Sequence, residues 1–218
     1  MVKLVSCTVP KIHPDIVSPE DLIVYCARVS NPSNQCNTET GPKLLKYLIK
    51  NEHWSPMEMA SMCVEIKTSR AIAAQLLRHR SFSFQEFSQR YSDVNSMEYI
   101  EWRLQGTGNR MVGEEVLSLS NELSERVTSL QKECVDVYND LLKQGYAKEC
   151  SRMILPLNSS TTLYMYGSVR SWIHYIGIRT KANTMKEHRI IALKIRDIFI
   201  ENFPMIAEAC DMIPASPE

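Results

Sequence analysis

MCVEIKTSRAIAAQLLRHRSFSFQEFSQRY, Met62 to Tyr91, holds the pattern that sets the architecture. Its opening MCVEIKT alternates well enough for a half-buried strand. Ser69 then stands where a helix N-cap belongs, and RAIAAQLLRHR follows as a short, alanine-rich helix. On that helix Gln75, Arg78 and His79 fall at i, i+3 and i+4 and share one face, whereas Ala71, Ile72, Ala73 and Leu76 supply the buried side. The polar face therefore points at whatever SFSFQEFSQRY encloses.

The flanking sequence extends the same alternation of strands and helices. Ser18-Pro19-Glu20-Asp21 reads as a helix start, with Ser18 as N-cap, Pro19 at the first helical position and Asp21 three residues after the cap. A second helix follows Gly41-Pro42 through KLLKYLIKN, and HWSPME, broken by Pro56, reads as a loop. From Gly113 to Gly145, Val116, Leu119, Leu123, Val127, Leu130, Cys134, Val137 and Leu141 recur at three- and four-residue steps, the strongest helical periodicity in the chain and an expected scaffold helix. After MILPLN comes a strand-like TTLYMYG, then VRSWIHYIGIR, a helix that Ser168 can cap and on which Arg170 and His174 lie four apart. The last helix is expected to start at Thr184, with Glu187 completing a capping box, and to run to Pro204. No repeat, low-complexity tract or linker divides residues 1–218. The expected fold class is α+β, a single mixed domain with a central β-sheet flanked by long helices.

Composition narrows the function classes. A chain of 218 residues buries roughly 70–75% of its unfolded surface and needs no disulfide or structural metal to fold. Its 25 basic residues balance 25 acidic ones, so nothing pulls the whole molecule toward nucleic acid or acidic membrane, and any anion site is a local cluster. Seven scattered cysteines, without CxxC or zinc-ligand spacing, suit a reducing cytoplasm; no metal set is expected. No apolar run approaches a membrane span, and MVKLVSCTVPKIHP lacks the apolar core of a signal peptide. Glycine is scarce, at seven residues, and the only GxG, Gly106 and Gly108, lacks a third glycine at dinucleotide-binding spacing. Phosphates would have to be held by arginines and helix N-termini.

Arg78, His79, Arg80 and Arg90 concentrate such donors within a few residues. Arginine offers five N–H groups in a planar fork suited to phosphate. Phe82, Phe84 and Phe87 are expected to fasten the segment to the core and hold Ser83, Glu86, Ser88 and Arg90 in fixed directions. Judged alone, His53 reads as a packed or solvent-facing histidine. His13, His188 and the methionines Met57, Met59 and Met165 read as packing residues. Trp102 and Arg103, in EWRLQGTGNRM, read as surface loop rather than as a cover over the site.

Arg78-His79-Arg80, seven residues, then Ser88 reproduces the signature of the flavin-dependent thymidylate synthases, and the extension through Gln89, Arg90 and Tyr91 is similar to that family as well. So are His53-Trp54-Ser55-Pro56, Arg152-Met153-Ile154-Leu155-Pro156, and Arg170 and Arg179 flanking SWIHYIGI. The resemblance covers roughly residues 20 to 205. It implies methylation of dUMP at C5 to dTMP, with methylenetetrahydrofolate as carbon donor, NADPH as reductant and FAD between them, in a homotetramer whose sites are shared between subunits. Carried over by position, it implies FAD contacts at His53, Ser55, Arg78, His79, Arg80, Glu86, Ser168, Arg170 and His174. It implies dUMP contacts at Gln75, Arg78, Glu86, Ser88, Gln89, Arg90, Arg152 and Arg179, with Arg179 polarising the uracil. A guanidinium suits that task, because uracil C5 becomes nucleophilic only as negative charge builds on the N3/O4 side of the ring. The Pro-Cys-His surroundings of a cysteine nucleophile are absent. Two alternatives remain open at this point: a basic, aromatic nucleic-acid-binding module, and a flavoenzyme of the same fold acting on another uridine acceptor.

Overall fold

The computed structural model describes residues 1–90, 96–108 and 112–213. Of the residues singled out above, Tyr91 and the 109–111 part of EWRLQGTGNRM lie outside the described residues. The order of elements is β1 (Val2–Cys7), α1 (Pro19–Ala27), α2 (Gly41–Lys50), β2 (Ser61–Ser69), α3 (Arg70–Leu76), β3 (Ser83–Glu86), β4 (Arg103–Gln105), β5 (Gly113–Val116), α4 (Asn121–Lys143), α5 (Lys148–Ser151), β6 (Ser160–Ser168), α6 (Val169–Arg179), α7 (Lys186–Asn202) and α8 (Pro204–Ala209). Short 3₁₀ turns cover Ser55–Glu58 and Arg152–Ile154. The α+β expectation is met: an antiparallel sheet in the order β1-β2-β6-β3 carries the helices, and β4 and β5 form a separate two-stranded ribbon.

The centre of the sheet is β2 against β6, paired without a break from Ser61 opposite Ser168 to Ser69 opposite Ser160. Their alternation sends Met62, Val64, Ile66, Leu163 and Met165 into the core, while Lys67, Tyr164 and Tyr166 face outward. Each strand runs directly into a helix. Ser69 Oγ accepts from Ile72 N and Ser168 Oγ accepts from Ser171 N, so both expected N-caps form. Because the strands are antiparallel, α3 and α6 start at opposite ends of the sheet. Their C-terminal ends meet through His79 and Arg179, and this convergence builds the site.

Several local expectations hold and several do not. Ser18 and Asp21 form the capping box, with Ser18 N donating to Asp21 Oδ2 at 2.9 Å and Asp21 N donating to Ser18 Oγ at 3.0 Å. The neighbouring Glu20 is buried and accepts Ile206 N at 2.7 Å, so a carboxylate in the first turn of α1 caps α8; burial pushes its carboxyl up to about 7. α3 ends at Leu76, a turn earlier than RAIAAQLLRHR suggested, and leaves Arg78–Arg80 in a turn. The helix expected from Thr184 is α7, which begins at Lys186, and it is not the last, since α8 follows from Pro204. Thr184 is buried and donates to Ile178 O at 3.4 Å, and Glu187, instead of closing a capping box, receives Arg103. The strand β1 follows from no pattern noted in the sequence.

The long periodic segment needs the largest correction. Gly113–Val116 is a strand, and the helix starts at Asn121, capped by Ser120 Oγ, and ends before Gly145, which takes the left-handed φ of 84° that glycine tolerates. Among the described residues, nothing fully covers its apolar stripe. Leu123, Leu130 and Val137, at seven-residue steps, are 44%, 65% and 40% exposed, and Tyr138 is the one buried residue of α4. A groove of about 510 Å³ runs along it, lined by Leu123, Arg126, Val127, Ser129, Leu130 and Glu133.

Among the described residues, no helix is long and apolar enough to cross a membrane.

Candidate active site

The segment after α3 is fastened by aromatic packing, as its phenylalanines suggested. Phe82 lies 4.6 Å from Trp172, edge-on, and 5.9 Å from Tyr175. It presses so closely on β6 that a Cβ at Gly167 would sit 2.5 Å from its ring, so only glycine admits this approach. Phe84 also packs against the core, whereas Phe87 is half-buried outside that cluster and is held by its backbone N–H on Thr162 O at 2.8 Å. Ser171 Oγ donates to Ser81 O at 3.0 Å and ties the turn to α6.

This anchoring fixes His79. Arg179, at the end of α6, donates from Nε to His79 Nε2 at 3.0 Å. A guanidinium has no acceptor, so the imidazole nitrogen facing it must be unprotonated and the ring proton sits on Nδ1. Burial, and then the Arg179 charge, hold the His79 pKa below its usual 6.5. The pair therefore orients the Arg179 fork, whose two terminal nitrogens make no hydrogen bond among the described residues. Acid reverses this, because a protonated His79 cannot accept and repels the guanidinium. Activity is expected to fall as pH drops through a value below 6.5, and His79→Gln, which can accept without titrating, removes that acid limb. A pH–rate profile unchanged by the substitution contradicts the assignment.

Gln75 lies behind them. Its Oε1 is 3.2 Å from His188 Nδ1 and its Nε2 donates to Met185 Sδ at 3.2 Å; His188 Nε2 is 3.1 Å from the Tyr175 hydroxyl. His188 is 0% exposed, and burial, with the charges of Arg179 and His79, pushes its pKa down to about 4. A folded-state pKa below the unfolded one adds stability above pH 6.5 that is lost as pH falls toward 4, here about 3 kcal/mol.

The β3 segment places a second group. Glu86 Oε1 accepts from Arg70 Nη1 at 2.7 Å and from Thr161 Oγ1 at 2.9 Å, so part of its carboxylate is engaged within the fold. Ser88 Oγ accepts from Arg90 N at 3.4 Å. Gln89 is buried, 6% exposed, and among the described residues its Nε2 has no hydrogen-bond partner. Arg78, Arg80 and Arg90 are exposed and make no ion pair among the described residues. Arg152, half-buried, donates to Glu149 O at 3.4 Å.

A third group surrounds the start of α6. His174 packs on Trp54 with ring centres 5.2 Å apart, and Arg170 pairs with Glu58 at 3.2 Å. Ser55 is exposed in the adjoining 3₁₀ turn. His53, also exposed, lies edge-on to Tyr47 at 5.9 Å. Ser168 uses its hydroxyl to cap α6. The helix thus carries Arg170 and His174 on one face and Tyr175 and Arg179 on another. Among the described residues no direct hydrogen bond, ion pair or ring contact joins His53, Ser55, Arg170 or His174 to Gln75, His79 or Arg179.

Sequence reasoning missed Arg70, Tyr175 and His188, and it misread Arg103. That side chain is 11% exposed rather than surface loop: it pairs with Glu101 at 2.8 Å and with Glu187 at 2.6 Å, while Lys186 holds Glu101 at 2.6 Å. Four charges of alternating sign pin β4 to the first turn of α7; the partly exposed Trp102 lies next to this clamp.

The family model described as thymidylate synthase complementing protein matches residues 14–205. The chain belongs to the flavin-dependent thymidylate synthase family. A probable flavin-dependent thymidylate synthase of Paramecium bursaria Chlorella virus 1 is 46% identical over 214 residues, which are 97% of this chain and 99% of that protein. The flavin-dependent thymidylate synthase of Synechocystis sp. is 47% identical, over 96% and 99% of the two chains. Among solved structures, the UMP/dUMP methylase PolB from Streptomyces cacaoi, bound with 5-Br dUMP, superposes with a TM-score of 0.80 at 25% identity, covering 100% of this chain and 97% of that one. The structural likeness to that methylase covers the chain, and the family match spans the ribbon and α4, where the sequence pattern had been misread.

Proposed function

We propose that the protein methylates dUMP at C5 to give dTMP, taking the carbon from methylenetetrahydrofolate and reducing equivalents from NADPH through bound FAD. The observation that carries the reading is the Arg179–His79 pair: a permanently charged fork, oriented by a neutral imidazole, with both terminal nitrogens left to meet charge on a pyrimidine. dUMP is favoured over UMP as acceptor because the relatives at 46% and 47% identity are named thymidylate synthases, whereas the UMP/dUMP methylase is at 25%.

The residues present fit the two nucleotides. Among the described residues, the exposed Arg78, Arg80 and Arg90 make no ion pair and the buried Nε2 of Gln89 has no partner; the arginines suit the phosphates of FAD and dUMP, and the amide calls for an acceptor such as a ligand oxygen. Gln75, Arg78, Glu86, Ser88, Gln89, Arg90 and Arg152 would hold dUMP. His53, Ser55, Arg78, His79, Arg80, Glu86, Ser168, Arg170 and His174 would line the flavin. FAD, when bound, supplies the hydride chemistry that a thiolate-based enzyme does without. Arg179 would stabilise negative charge on the N3/O4 side of uracil more in the transition state than in the ground state. A cysteine nucleophile finds little support: burial raises the thiol pKa of Cys7, Cys26, Cys63 and Cys210, which disfavours the thiolate.

The separation of His53, Ser55, Arg170 and His174 from His79 and Arg179 within one chain supports a site completed by another subunit. The uncovered stripe of α4, flanked by Glu122, Glu125, Arg126, Lys132 and Glu133, offers a self-complementary face for a second copy, as a homotetramer requires. The test of the chemistry is direct. The purified protein is expected to be yellow, or to become so with FAD, and to convert dUMP when given methylenetetrahydrofolate and NADPH. A colourless protein that FAD does not reconstitute and that leaves dUMP unchanged overturns the reading.

A further inference from the structure

Behind the candidate site, His188 occupies a fully enclosed position with both ring nitrogens engaged, one by Gln75 and one by Tyr175. Because its burial and the nearby Arg179 and His79 keep it uncharged, one nitrogen donates and the other accepts. Gln75 Oε1 has no proton to give, so Nδ1 carries the hydrogen and Nε2 accepts from the Tyr175 hydroxyl. That assignment is consistent with Gln75 Nε2 donating to Met185 Sδ.

The consequence falls on Gln75. The two ends of a carboxamide are nearly the same size, and only hydrogen bonding decides which end faces a ligand. Phosphate oxygens and pyrimidine carbonyls only accept, so the NH₂ end is the useful one. With Oε1 claimed by His188 and one amide hydrogen on Met185, the second amide hydrogen remains for a ligand acceptor. Tyr175 links this arrangement to the charge site, since its ring also lies 5.0 Å from His79, which holds Arg179. Two neutral histidines on either side of one buried tyrosine thus orient one donor from α3 and one from α6.

We infer that His188 is a positioning residue for nucleotide binding: through Nδ1–H it fixes the Gln75 carboxamide with its NH₂ group presented to dUMP. The inference rests on the dUMP reading above and deepens it. A side chain that merely filled space would require shape alone, whereas this role requires a donor at the Nδ1 position.

The test uses the FAD-loaded full-length protein with dUMP as probe and calorimetry as readout. His188→Leu is expected to weaken dUMP binding about tenfold, the loss of roughly one hydrogen bond. His188→Asn, whose amide nitrogen takes the place of Nδ1, restores affinity to near that of the parent. His188→Gln, which reproduces Nε2 instead, does not. Affinities that track melting temperature through all three variants, or equal rescue by Asn and Gln, overturn the inference. Should the leucine variant fail to fold, the Asn and Gln pair decides alone. Nitrogen-15 histidine spectra of the parent protein provide a check free of substitution: an Nε2–H tautomer at His188 refutes it. Absence of dUMP binding by the parent protein instead refutes the functional reading, and the inference with it.

Discussion

Arg179→Ala is expected to slow methylation of dUMP by about 10²-fold or more, the range observed when one preorganised transition-state donor is removed. The argument is geometric. Arg179 is anchored by one nitrogen to His79 at 3.0 Å, so its fork meets developing charge without first having to be ordered. The loss is expected in single-turnover methyl transfer and less in dUMP affinity, because an interaction stronger in the transition state lowers kcat more than it raises KM. Arg179→Lys is expected to recover only part of the rate, since an ammonium on a flexible stem keeps the charge but lacks the planar fork. Turnover within a factor of about two of the parent for Arg179→Ala would retract the role.

If α4 is the contact in the proposed homotetramer, Leu123→Glu combined with Leu130→Glu is expected to break that assembly and abolish turnover, although neither residue is part of the Arg179–His79 pair. Both side chains lie exposed on the apolar stripe of α4, beside the groove that runs along it. Each leucine buried against a second copy contributes about 1.5–3 kcal/mol, and in a two-fold contact each counts twice. Four buried carboxylates would replace that gain with a desolvation penalty. Sedimentation is expected to report a smaller species with unchanged circular dichroism, since these residues make little of the monomer core. The same sedimentation coefficient as the parent would show that α4 is not the contact between copies.

The clamp of Glu101, Arg103, Lys186 and Glu187 shows how a local pattern can mislead. Glu187 three residues after Thr184 has the spacing of a capping box, and a capping box was the expected outcome. A distant arginine outcompetes it: a charge-assisted contact in which Arg103 Nη2 reaches both Glu187 oxygens, at 2.6 and 2.8 Å, is stronger than a bond to one backbone N–H. At Ser18 and Asp21 no such competitor stands among the described residues, and the same kind of pattern produces the capping box. The α4 segment fails differently. Its period correctly announces a helix, but period cannot say whether the covering surface belongs to the same chain or to another one.

What the sequence by itself determined was therefore of short range: the caps at Ser18, Ser69 and Ser168, the β2 and β6 alternation, the buried side of α3 at Ile72, Ala73 and Leu76, and a donor-rich turn carrying the family signature. These depend on spacings of two to four residues, which backbone geometry converts directly into a shared face or a capped end. Only the tertiary structure decided that Arg179 meets His79 across 100 residues, that His188 holds Gln75 across 113, and that Glu20 caps α8 across 186. Such pairings depend on which elements pack together and at what angle, and that is settled by burial of the whole core, to which no individual segment holds the key.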